Sequence, residues 1–137
     1  MTRFHFFCVA AIVVLAFSAC SRNYQRDTAP VNGRVTVDGI PLTSGYVIVI
    51  PESGRMAKGA IQSDGSFVLG TYAANDGVPL GRHSVVVQPV PADAVDSSKI
   101  EPGPAIPKQY EVARSSGLEI EVTPDGIDNL NLELRSK

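Results

Sequence analysis

Near its end the chain twice alternates apolar and polar residues, and no other feature constrains its fold as much. In "LEIEVTP", Leu118, Ile120 and Val122 fall on one side and Glu119, Glu121 and Thr123 on the other. In "NLNLELR", Leu130, Leu132 and Leu134 oppose Asn129, Asn131 and Glu133. Successive side chains of a strand point to opposite faces, so each segment predicts a strand with one dry and one wet side. The same reading extends upstream. "VNGRVTV" sets Val31, Gly33, Val35 and Val37 against Asn32, Arg34 and Thr36. "GYVIVIP" is apolar on both sides, so its inward face stays open. "AKGAIQ", "SFVLGTY" and "RHSVVVQP" complete the set. Three strands stop at Pro51, Pro89 and Pro124, and proline suits strand ends because it cannot donate to a ladder. No stretch carries a convincing helical period. Seven short strands predict one all-β domain over Pro30 to Lys137, a seven-stranded antiparallel β-sandwich.

Two connections stand out. Asp64-Gly65 sits between strand-like runs, which predicts a two-residue hairpin turn of type I′ with positive φ at both residues. Phe67, Leu69 and Thr71 then share a face, and Phe67 becomes a core candidate. Between Val90 and Gly117 runs a long irregular segment. A connection this long is either functional or poorly ordered.

The first residues do not belong to the sandwich. Arg3 precedes an unbroken apolar run, Phe6 to Phe17, and the small residues Ser18 and Ala19 lead to Cys20. A basic end, a short apolar core and a small-residue site make a secretory signal peptide, here residues 1–19. As a helix the run would rise about 18 Å, short of a hydrocarbon core of about 30 Å. "AFSAC" resembles the lipobox of bacterial lipoproteins, with Phe17 where leucine is usual. The resemblance implies that Cys20 is lipidated and anchors the chain to a membrane. It also accounts for a lone cysteine in an exported chain, since Cys8 would leave with the signal. Ser21 does not look like the aspartate that keeps such proteins in the inner membrane, so the expected site is the cell envelope at the outer membrane. Residues 20–29 read as the lipidated end and a polar tether. Of the 12 basic residues only Arg3 leaves with the signal, so the mature chain is mildly acidic against its 14 acidic residues. Without a basic patch interleaved with aromatics, nucleic acid is not an expected partner.

The order of the strand motifs resembles small bacterial lipoproteins carrying a carboxypeptidase-regulatory-like domain. Gly33, Val35, Asp38, Gly39, Pro41 and Leu42 match the family's opening; Asp64, Gly65 and Phe67 match its hairpin. Ile106, Pro107 and Tyr110 match its loop, and Ser116, Gly117, Leu118 and Val122 its next strand. Leu80 and His83 depart, standing where the family has proline and tyrosine. The resemblance implies a transthyretin-like (prealbumin-like) sandwich and a non-catalytic role but no ligand; the expected function is a structural or protein-binding module, its envelope protein or glycan partner unidentified. The resemblance supplies no cofactor.

His83 is the only histidine of the mature chain, and one histidine without thiol or carboxylate at ligand spacing makes a poor metal site. A partly buried imidazole at the core edge fits it better. Transthyretin-like hydrolases of 5-hydroxyisourate use several histidines and end in Tyr-Arg-Gly-Ser, whereas this chain ends Leu134-Arg135-Ser136-Lys137. No Gly-x-Ser-x-Gly accompanies its serines. Asp64-Gly65-Ser66, Asp93, Asp96 and Glu101 lack the oxygen count and spacing of a calcium loop. Ile106, Pro107 and Tyr110 are the candidate recognition loop, although the reading preferred for the trio is packing, with Ile106 and Tyr110 pinning the long segment to the sandwich. An alternative function is binding of an envelope carbohydrate or small ligand, which would call for Tyr72 and Tyr110 as an exposed platform.

Overall fold

The computed structural model of the protein describes residues 25–94, 96–99 and 102–137. In chain order the strands are β1 (Thr28–Ala29), β2 (Val31–Val37), β3 (Ile40–Pro41), β4 (Tyr46–Pro51), β5 (Ala57–Ala60), β6 (Ser66–Val68), β7 (Val78–Pro79), β8 (Gly81–Gln88), β9 (Leu118–Val122) and β10 (Ile127–Leu134). The fold is all-β. The expected seven strands all form, and β1, β3 and β7 raise the count to ten. Each of these three has only two residues, too few to display a period of two. β1 also takes in Thr28 and Ala29, which the sequence reading assigned to the tether, and Ala29 is buried.

One sheet runs β5-β4-β8-β9, and every pairing in it is antiparallel. In the other, β10 lies on one edge of β2, while β3 and β6 share the opposite edge. β1 and β7 form a small separate ladder. The β10–β2 pair is parallel, which corrects the expectation of a purely antiparallel sandwich. The turn after β9 carries the chain from one sheet to the other, so β10 cannot fold back on β9. It arrives beside β2 running in the same direction.

The core lies between the sheets. Val31, Val35, Val37, Phe67, Leu132 and Leu134 face Val47, Val49, Val85, Val87, Ile120 and Val122 in one buried cluster. Each such side chain contributes about 1.5–3 kcal/mol on burial. This settles β4: Val47 and Val49 point inward, while Ile48 and Ile50 keep partial exposure on the outer face.

The turns differ from expectation. Asp64 does not have positive φ; Gly65 does, at 85°. The Gly65 N–H donates to the Gln62 carbonyl at 2.9 Å, and the Gln62 N–H donates to Ser66 at 2.8 Å. The loop is therefore three residues long, a turn closed by a left-handed glycine, rather than a type I′ pair. Asp64 instead accepts the Ser66 N–H at 3.0 Å. The type I′ turn occurs at Asp38-Gly39, where φ is 50° and 84° and Val37 pairs with Ile40. The long segment holds a 3-10 turn (Lys108–Glu111) and one turn of helix, α1 (Ala113–Ser116). Neither is long enough to leave a helical period in the sequence.

Candidate functional site

Ile106, Pro107 and Tyr110 do not form an exposed surface. Pro107, at φ −65°, leads into the 3-10 turn and brings Tyr110 inward, where it is only 8% exposed. Its hydroxyl accepts the Arg135 N–H at 3.1 Å, just beyond β10. Ile106 packs against the core cluster. Gln109 Nε2 adds a long bond to the Arg135 carbonyl at 3.4 Å. The trio thus closes one end of the sandwich by joining the long segment to the chain's last strand. Tyr72 at the other end is partly buried, and its hydroxyl accepts the Arg26 N–H at 2.9 Å. The two tyrosines are not a common platform.

His83 is buried on the inner face of β8, with Val85 and Val87. Its Nε2 lies 2.6 Å from the Pro79 carbonyl oxygen. A carbonyl only accepts, so the proton belongs on Nε2. Nδ1 is buried without a partner. The register places Pro51 and Ile120 beside His83, and neither side chain could orient an imidazole for proton transfer. Among the described residues, no group of three His, Cys, Asp or Glu side chains could hold a metal ion. Cys20 lies outside the described residues. No helix among the described residues is long and apolar enough to cross a membrane.

Two places gather polar groups. The first is a groove of about 510 Å³ on the outer face of the β2 sheet, lined in part by Asn32, Arg34, Ser66, Val68, Asn129 and Asn131. An irregularity in β10 shapes it: the register with β2 shifts between Ile127 and Leu130, and Asn129 takes φ 58°. The Asn32 amide holds the irregularity. It donates to Asp128 at 2.7 Å and accepts the Asn129 N–H at 3.2 Å. Arg34 pairs loosely with Asp64, 3.7 Å away and largely in solvent. Hydrogen bonds from the Ser66 hydroxyl and N–H hold the Asp64 carboxyl below its usual range, with Arg34 a smaller influence. Alternation placed Asn32, Asn129 and Asn131 on the wet side, but only the β10–β2 register brings them together.

The second is the end at which the described chain enters the sandwich. Arg26 Nη2 donates to Ser53 Oγ at 3.0 Å, and Thr28 Oγ1 donates to the Asp76 carbonyl at 2.7 Å. The Asp76 carboxylate accepts three backbone N–H groups: Thr71 at 2.6 Å, Tyr72 at 3.0 Å and Ala73 at 2.9 Å. Burial raises its pKa, but the three donors together outweigh that and hold it below the usual carboxylate range. The Arg55 guanidinium sits 6.0 Å from the Tyr72 ring centroid.

This chain matches no protein-family model, no curated protein and no solved structure at a significant level.

Proposed function

We propose that this chain is a non-catalytic, lipid-anchored protein of the cell envelope, whose sandwich is transthyretin-like and acts as a structural or protein-binding module. The observation that carries the reading is how soon the sandwich follows the lipobox-like cysteine. Only Ser21 to Asp27 stand between Cys20 and β1. A domain that begins so close to the cysteine suits permanent attachment at a membrane surface. The kinship with carboxypeptidase-regulatory-like lipoproteins belongs to the same proposal. It is supported by the motif order and by two sheets packed around one core. The burial of His83 among apolar neighbours favours a role without chemistry.

Radiolabelled palmitate tests the anchor. The wild-type chain takes up label and fractionates with membranes, and Cys20→Ser loses both properties. Label retained in Cys20→Ser overturns the reading.

A second reading, a carbohydrate or other small polar ligand, is favoured by the groove bearing Asn32, Asn129 and Asn131. It no longer rests on a tyrosine platform, because Tyr110 is buried. A glycan array with bound signal abolished by Asn131→Ala supports it, and an array without hits removes it.

A further inference from the structure

We propose that the end of the sandwich around Arg26 and Arg55 rests directly on the lipid headgroups of the anchoring membrane, in a fixed orientation. The inference depends on the lipidation of Cys20 proposed above. It starts from the length of chain available. Thr28 and Ala29 are held in β1, and both the backbone and the side chain of Arg26 are hydrogen-bonded to the sandwich. The stretch between Cys20 and the first residue held by the sandwich is therefore shorter than the polar segment as a whole. The chain from Cys20 to Arg26 spans at most about 20 Å when fully extended. An eight-residue strand such as β8 is itself about 27 Å long. So the near end of the domain stays at the membrane surface, while the far end cannot reach it without laying the sandwich on its side.

The residues at the near end suit that position. Met56 is 56% exposed and Leu80 is 38% exposed, next to the arginines: Met56 follows Arg55, and the Leu80 N–H donates to the Asp27 carbonyl at 3.3 Å. Tyr72 lies between them, with its hydroxyl on Arg26 and Arg55 beside its ring. Among the described residues neither Arg26 nor Arg55 has a carboxylate within ion-pair distance. Two guanidinium groups without a carboxylate partner, of which Arg26 spends one N–H on Ser53, a tyrosine with an apolar body and a polar tip, and two exposed apolar side chains are what a headgroup layer accommodates. Asp27, Glu52 and the ionised Asp76 lie at the same end, so beside Arg26 and Arg55 its charge is slightly negative. Contact therefore comes from guanidinium–phosphate bonds and shallow insertion of Met56 and Leu80, not from bulk attraction. The opposite end is the natural control. Ile40, 59% exposed, sits in the β2–β3 hairpin at the far end.

The test uses the full lipidated protein in vesicles of phosphatidylethanolamine and phosphatidylglycerol. Because the lipid occupies the Cys20 sulfur, Met56→Cys and Ile40→Cys each offer one thiol for an environment-sensitive dye. A headgroup-attached quencher should dim the dye at position 56 several-fold more than the dye at position 40. Arg26→Glu combined with Arg55→Glu should bring position 56 down to the level of position 40, with an unchanged circular dichroism spectrum. Equal quenching at the two positions, in a protein that carries palmitate, overturns this docking and leaves the anchor standing. Quenching at position 56 that survives the double charge reversal overturns it as well. A wild-type protein without palmitate overturns both.

Discussion

Gly33 has no room for a side chain, because a Cβ there would collide with the Leu130 carbonyl where β10 crosses close to β2. Gly33→Ala should therefore cost about 1–3 kcal/mol through forced displacement of the parallel pair. Gly39→Ala meets open space but must adopt φ 84°, so it should cost about 1–2 kcal/mol from backbone strain alone. Urea unfolding of the two variants separates these causes, since only Gly33→Ala should also shift the amide signals of β10. Alternation placed Gly33 on the inner face, yet the carbonyl that demands glycine comes from a strand far along the chain. Asp76 makes a second residue-scale prediction. Its folded pKa is depressed, so the stability it contributes is present above its unfolded value near 4 and is lost as pH falls through the folded value. Asp76→Asn replaces a charged acceptor of three N–H groups by a neutral one. It should cost about 1–2 kcal/mol at pH 7, the low end for charge-assisted bonds because the carboxylate is only partly covered. The difference from wild type should shrink below about pH 4. Unfolding curves taken across that range check both size and sign; a gap that does not change with pH refutes the account.

Among the elements, the segment Lys108–Ser116 is held less by its own single turns than by Tyr110. Tyr110→Phe removes the acceptor for the Arg135 N–H and should cost about 0.5–1.5 kcal/mol. Tyr110→Ala also empties a place in the core and should cost about 3–5 kcal/mol. Lys108 and Arg114 already reach solvent, so a looser backbone around them should speed tryptic cleavage, and faster cleavage there in Tyr110→Ala than in Tyr110→Phe is the check. Cleavage at equal rates would show that the segment is held by something other than Tyr110. The sequence groups Ile106, Pro107 and Tyr110 and favours packing for them, but recognition fits the same residues. An exposed and a buried tyrosine look alike in a loop without periodicity, and only the arrival of β10 at Arg135 decides between them. The two Asp-Gly turns teach the same point. Both pairs read as tight hairpins, but one is a two-residue turn and the other ends a three-residue loop. The register of the flanking strands chooses the turn, and register is a property of the sheet.

For the whole molecule the closing contact is β10, which pairs with β2 from Val31 to Val37, the whole of that strand. A chain ending at Thr123 loses Leu132 and Leu134 from the core, worth about 3–6 kcal/mol in burial. That is comparable to the entire stability of an ordinary domain, about 5–15 kcal/mol. The truncated chain should show no cooperative thermal transition and no dispersed amide spectrum; a cooperative transition would mean that β10 is not part of the folding unit. What the sequence determined by itself was the all-β class, the seven longer strands and the inward faces of β2, β9 and β10. These depend on alternation between neighbouring residues, and alternation is local. β4, apolar on both sides, was the exception, and burial against the opposite sheet chose Val47 and Val49. The tertiary structure alone decided the parallel pairing of β10, the three two-residue strands, the amide groove and the grip of the sandwich on Arg26. Each of these is a meeting of residues distant in the chain, and no local period records which distant segment a strand edge will find.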